Sequence, residues 1–326
     1  MNATSLKSSS RLKRSTPLSQ EPEWIRQGTF LGNRFHYRHK NPLVHNSLNL
    51  SVLVLIFAGM LGLCWLGLSL PAFIFLPLGS FGFGLAYFAL AILTIHEASH
   101  NMFLVFKDAK KSRIWNRRMG QFFCLSFGID YVNHWEIGHK IHHLHPVEEF
   151  DPQNCPNTIY TGRSLWLYCL KVLLVPGYVL VCRRHDDCSA VQSYARNWKL
   201  FCNMAVSWSL TIVLLTIYFN WTVALAAVLG TGVLSVLNQF KIAMEHSGDI
   251  ARRGNPVLRS VSSFFPLRSI LMPLNISIHF EHHLNDAVPW YDLLKYHQEF
   301  KAIVPPEIQP EIFHYNGQVW QQIVSR

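Results

Sequence analysis

Seventeen histidines stand among 326 residues, and eight of them fall into three short runs. The first holds His96 and His100, the second His139, His142 and His143, the third His279, His282 and His283. On a helix, residues three and four apart share a face, so HxxxH presents two imidazoles side by side and each HxxHH presents three. Neutral imidazole is a ligand for iron, copper, zinc and nickel alike. One tetrahedral zinc uses four ligands, whereas two octahedral metals take four or five nitrogens each and leave positions for oxygen. Eight convergent nitrogens therefore point to a dinuclear, redox-active site, a nitrogen-rich counterpart of the carboxylate di-iron sites of soluble four-helix proteins. A single HxxxH is as readily a solvated helix face, but three such runs in one chain are not.

The elements that must bring these runs together are apolar. Half of the residues are hydrophobic and only 15% are charged, too few for an ordinary soluble enzyme. No Lys, Arg, Asp or Glu lies between Lys40 and Glu97, or between Lys199 and Lys241. Each window holds two stretches long enough to cross a bilayer: Ser47 to Leu70 and, after Pro71, on to Ile95; then Leu200 to Phe219 and, after Asn220, Trp221 to Phe240. The expected fold is an all-α integral membrane protein with four transmembrane helices in two hairpins, interfacial helices and a cytoplasmic histidine-rich cap. Met119 to Val132, Leu165 to Cys182 and Val257 to Ile278 are read as interfacial or re-entrant helices. The sequon at Asn220 lies too close to lipid to carry weight.

Of the 29 Lys and Arg, eight precede Ser47, thirteen lie between the windows and eight follow from Lys241 onward. Cations near span ends stay on the cytoplasmic side, so both termini, the central segment and all three histidine runs are expected there, with the hairpin tips outside. The division is a cytoplasmic N-terminal tail (1–46, with no apolar stretch fit for a signal peptide), a membrane-embedded domain (47–300) and a cytoplasmic C-terminal tail (301–326). Seven Cys without a CxxC pair read as reduced, mostly buried thiols. The net charge of +10 suits anionic headgroups and an acidic partner protein, and nucleic acid is not an expected partner.

The three runs, their order and the four spans resemble the membrane fatty acid desaturase and hydroxylase superfamily of histidine-box enzymes. The flanking residues are similar too: Asn101 after the first box, Asn116, Arg117 and Gly120, then Gly138, Asp151 and Pro152, and finally Pro289 and Trp290. The resemblance spans roughly residues 45 to 300. It implies that His96, His100, His139, His142, His143, His279, His282 and His283 bind two iron ions that activate O2. His246 resembles the extra ligand many members carry between the second and third boxes, the alternative being a hydrogen-bonded histidine at a helix end. Asn238 is an alternative polar contributor there, or a helix-terminal Asn. Asp151 matches an acidic position from which a ligand imidazole is oriented. Glu97, Glu245 and Glu281 adjoin ligands and either do likewise or are solvated or capping acids. His36, His39, His45, His134, His145, His185, His297 and His314 fall outside the boxes and read as structural or surface residues.

Two departures stand out. Leu284 to Pro289 replaces the aromatic and Pro that many acyl desaturases carry after the last box. The third box begins with His279 rather than the Gln of front-end desaturases, and no His-Pro-Gly-Gly haem motif is present, so electrons must come from a separate donor of ferredoxin or cytochrome b5 type. The expected reaction is O2-dependent introduction of a double bond into a fatty acyl chain, because no amino-acid side chain can take hydrogen from an unactivated C–H bond. Hydroxylation or ketolation of a lipid or carotenoid is the alternative on the same scaffold. A histidine-rich metal transporter, of another class, would place ionisable ligands near the membrane midplane, and the windows contain none.

Overall fold

The structure is a computed structural model that describes residues 16–154, 159–175 and 198–324. Lys7, Arg11, Lys13, Arg14, His185, Cys155, Cys182 and Cys188 lie outside the described residues.

In chain order the longer helices are α1 (Glu23–Asn33), α2 (Pro42–Ser69), α3 (Ala72–Ser99), α4 (Ala109–Leu125), α5 (Gly138–Leu144), α6 (Gly162–Leu174), α7 (Trp198–Tyr218), α8 (Trp221–His246), α9 (His279–Leu284), α10 (Leu293–Lys301) and α11 (Gly317–Val324). Helices α2, α3, α7 and α8 are long and apolar enough to cross a membrane. At 28 residues, α2 is about 42 Å long, more than the roughly 30 Å of a hydrocarbon core. The helices overrun the uncharged windows: α2 begins at Pro42, α3 runs to Ser99 and α8 to His246. A gap in charge marks where lipid ends, whereas the backbone ladder ends where capping and tertiary contacts end it. Asn41 starts α2 by accepting from the Leu43 amide at 2.9 Å, ahead of Pro42 at the first helical position. Asn220 starts α8 in the same way, accepting from the Val223 amide at 2.9 Å while donating to Gly67 O of α2 at 3.0 Å.

Burial separates the spans into two kinds. More than half of the apolar window of α3 and 44% of that of α8 are buried, against 11% for α2 and 6% for α7. Helices α3 and α8 therefore form the inner pair, and α2 and α7 pack outside them with apolar flanks free for lipid. The inner helices approach closely at Gly84 and Gly230. A Cβ on Gly84 would lie 2.4 Å from Cβ of Val233, and one on Gly230 2.8 Å from Cβ of Phe83. Small residues at such a crossing let backbones meet where no hydrophobic drive separates helix from lipid.

The non-spanning segments depart from expectation. Val257 to Ile278 is not one helix: it holds a turn at Pro256–Leu258, the strand β1 (Ser262–Phe264) and one helical turn at Arg268–Leu271. Pro266 and Pro273 each lack an amide proton and push the preceding residue out of helical dihedrals. Met119 to Val132 divides between the end of α4 and a π turn at Tyr131–Ile137. Leu165 to Val175 follows α6 and its end, and the rest of that stretch lies outside the described residues.

Both segments read as tails contain packed structure. The face of α1 bearing Ile25, Gly28 and Leu31 lies on α9 and α10, in a core with Phe280, Leu284, Tyr296 and Phe300. Tyr296 Oη donates to Gly28 O at 2.9 Å. After residue 300, the strand β2 (Phe313–Tyr315) pairs in parallel with β1, Ser262 opposite Phe313, and α11 packs against α8. Cys64, Cys124 and Cys169 are buried free thiols and Cys202 is partly exposed.

Candidate metal centre

The first box straddles a change of helix type. Helix α3 is regular to Ala91, passes through a π turn at Ile92–His96 and closes with one α turn, so His96 and His100 emerge where the backbone is locally unwound. The residues after it are tied down by Asn116 on α4, which donates to Leu104 O at 2.6 Å and accepts from the Leu104 amide at 3.0 Å. From α2, Asn49 donates to Met102 O at 3.0 Å and Phe103 O at 2.9 Å, and accepts from Trp290 Nε1 at 2.9 Å. His45 joins this network through Met102 O at 2.5 Å and Tyr291 Oη at 2.7 Å. The second box, on α5, follows the π turn at Tyr131–Ile137. Tyr131 of that turn presses its ring on Gly120, and Glu136 accepts from Arg117 at 2.6 Å. The third box is α9 itself.

Nine imidazoles then meet in two groups. His96, His100, His139, His143 and His282 form one and His142, His246, His279 and His283 the other, with the potential ligand atoms in each group all within 4.8 Å of one another. The boxes divide by helical angle. A step of four residues turns about +40° and a step of three about −60°, so the outer pair of an HxxHH faces one way and the middle residue another. Thus α5 gives His139 and His143 to the first group and His142 to the second, while α9 gives His279 and His283 to the second and His282 to the first. The groups touch where the rings of His143 and His283 stack with centroids 4.2 Å apart.

Ring nitrogens face one another at 3.0 Å between His139 and His100, 3.1 Å between His143 and His139, and 2.9 Å between His246 and His279, Nε2 to Nε2 in each case. Two nitrogens at right angles on one metal, with bonds of about 2.1 Å, stand about 3 Å apart. Both nitrogens of His96 and Nε2 of His282 and His283 are buried without a hydrogen-bond partner, a costly arrangement for imidazoles with nothing to bind. Burial first, then the neighbouring imidazoles, holds His139, His143, His282 and His283 well below the usual histidine range; for His279 burial is followed by Lys241. These rings are neutral at neutral pH, with lone pairs free.

Their outer nitrogens are held by the protein. Asp151 Oδ2 lies 2.8 Å from His142 Nδ1, and Asp151 also accepts from the amides of Val147, Gln153 and Asn154. Burial alone would raise its pKa, but His142 and those amides outweigh it and keep Asp151 ionised. The same turn aims Gln153, whose Oε1 lies 2.6 Å from His139 Nδ1 and whose Nε2 donates to His134 O. His246 Nδ1 lies 2.7 Å from Arg259 O. Every one of these contacts leaves Nε2 turned inward. The combination of a neutral, orphaned, convergent nitrogen set with carboxylate and carbonyl partners behind it suits metal ligation.

A sequence model of the fatty acid desaturase family matches residues 75–315, most of the chain and all three boxes. The chain belongs to the fatty acid desaturase family. No curated protein and no solved structure matches it. As a member of that family it is an oxidoreductase and a membrane protein, and its two histidine groups could hold metal.

In this desaturase-family chain the other expected site residues fall as follows. Glu97 is buried with Oε1 3.4 Å from Nδ1 of His96. Glu245 is buried 3.3 Å from His279 Nε2 and paired with Lys241 at 2.6 Å. Glu281 faces away from the groups, toward Ser262 and His297. Asn238 is exposed on α8 and lies outside both groups, since eight residues before His246 it is turned about 80° around the helix. His36, His39, His45, His134, His145, His297 and His314 are in neither group. Two contacts had no signal in the single sequence. One is Gln153; the other is Asp286, half exposed, with Oδ2 3.4 Å from His100 Nδ1.

Proposed function

We propose that the nine histidines His96, His100, His139, His142, His143, His246, His279, His282 and His283 hold two iron ions, and that the protein uses O2 and electrons from a separate carrier to introduce a double bond into a fatty acyl chain. The observation that carries this reading is the pair of imidazole groups joined at His143 and His283, five nitrogens beside four. That donor set is too large for a single structural zinc, and it leaves open positions for O2 on octahedral metals.

When bound, the iron pair supplies the O2-driven removal of hydrogen that side chains cannot perform. The chain's residues do the positioning. Asp151, Gln153 and the Arg259 carbonyl fix the Nδ1 side of His142, His139 and His246, which selects the tautomer with Nε2 free. Glu97 and Glu245 place buried carboxylates beside His96 and His279, where they would compensate cation charge. Helices α3 and α8 end in the two groups, so an acyl tail lying among the spans arrives beneath the histidines without leaving lipid.

The four spans cross as two hairpins, with both termini and the histidine groups on the cytoplasmic side. The distribution of Lys and Arg supports this orientation, since the segments that would form the hairpin tips carry none.

Lipid profiling of a host expressing wild type or His142→Ala tests the reaction, together with metal analysis of the purified protein. New double bonds only with wild type, iron near two per chain and reductant-dependent O2 uptake are the expected results. New hydroxyl or keto lipids would assign the alternative reaction. Zinc flux into vesicles without O2 uptake would overturn the enzyme reading.

A further inference from the structure

Buried metal groups need a route by which ions arrive, and apolar spans do not offer one to a hydrated cation. A narrow recess of about 10 Å3, room for about one water molecule, reaches the histidines elsewhere, and its walls include Thr16, Glu21, Asn255 and Val257 along with His143 and His283. Every described residue lining it lies outside the four spans. His143 and His283 are the stacked pair at the seam, one from each group, so the recess opens on both groups at once. His283 Nε2 and His143 Nδ1 are buried without hydrogen-bond partners among the described residues.

Glu21 is the one carboxylate among the described residues of that wall, and it is only 5% exposed. Asn255 Nδ2 donates to its Oε2 at 2.7 Å, which fixes the carboxylate, while Oε1 is buried with no partner. A protein with a net charge of +10 repels a divalent cation as a whole. A single fixed carboxylate in a recess reverses that locally, since a low-dielectric wall focuses its field.

We propose that this recess is the mouth through which the metal ions are loaded, with the buried Glu21 Oε1 as the anionic oxygen that draws in a divalent cation as it sheds its water and passes to His283 and His143. The proposal rests on the reading of the two histidine groups as metal sites and goes beyond it by assigning Glu21 a role in loading rather than in ligation.

The test uses full-length protein stripped of metal, in lipid nanodiscs, with Co2+ as the probe. Uptake is followed anaerobically by the visible absorption of the bound ion, and the final content by elemental analysis. Glu21→Gln keeps the size and the Asn255 contact, and is expected to load about tenfold more slowly at low salt while reaching the wild-type metal content. Added salt is expected to slow the wild type toward the variant, because it screens the carboxylate. Val257→Trp, which narrows the mouth without touching its charge, is expected to slow loading at every ionic strength. Wild-type loading rates in both variants would overturn the proposal, as would a final metal content below wild type in Glu21→Gln, which would make Glu21 part of the fold or of the ligand set. If the wild type binds no Co2+ at all, the histidine reading itself falls and the mouth goes with it, an outcome distinct from equal rates.

Discussion

Among single residues, the two buried acids Asp151 and Glu281 look alike in sequence, each close to a histidine box, but the structure gives them opposite directions. Asp151 faces inward to His142, and His142 together with the backbone amides that surround the carboxylate keeps it ionised. Asp151→Asn keeps the shape but loses the charge and admits the wrong tautomer. We expect metal affinity at the His142 group to fall about 10- to 100-fold while the other group stays loaded, measured by competition with a graded series of chelators. Glu281 joins α9 to β1 and α10 through Ser262 and His297. Glu281→Gln is expected to lower stability by about 1–3 kcal/mol, seen as a lower Tm, with full metal content at low temperature. Sequence adjacency alone could not separate the two, because Ser262 and His297 come from other segments of the chain.

Elements explain which parts of the site were legible in advance. The boxes and spans were readable because their signals are local: three- and four-residue spacing for the histidines, and long gaps between charges for the spans. The packing of α1 was not readable, since its apolar stripe is short and broken by Gly28, and its partners Leu284 and Phe300 lie some 250 residues away. The same limit hid Gln153 and Asp286, which reach their histidines through tertiary folding. How the boxes split between two groups follows from helical angles, although convergence on a common face is the simpler reading of the spacing. The inner pair of spans carries this division into the site, and glycine substitutions probe it. Gly84→Leu would drive a side chain into Val233 and force α3 and α8 apart, moving His96 relative to His246. We expect a loss of about 1–3 kcal/mol or more and reduced metal content. Gly62→Leu, on α2 where nothing lies within 4 Å, is expected to leave both unchanged. Tm and bound metal measured side by side would check the contrast, and equal damage from both would contradict the inner–outer arrangement.

For the whole molecule, the proposed chemistry requires all nine histidines to lie on one side of the membrane, together with the separate electron donor it invokes. The charge distribution supports this independently of the histidines. Exposed cations Lys107, Lys110, Lys111 and Arg118 gather on and before α4, close to the first box, whereas the turns at Leu70–Pro71 and Phe219–Asn220 carry none. Anionic headgroups on the cytoplasmic leaflet would hold α4 there, at about 1 kcal/mol for each cation near the surface. The orientation can be read by placing single cysteines in a background with the seven native ones replaced. Ser69→Cys, exposed at the tip of α2, is expected to react with a membrane-impermeant maleimide only from the outside of intact cells. Lys111→Cys, exposed on α4, is expected to react only in inside-out vesicles. Labelling of both sites from one side would mean that α3, the span between them, does not cross. The reverse pattern would put the histidines outside and cut them off from any cytoplasmic donor, so the oxidoreductase would have to draw its electrons from the opposite face.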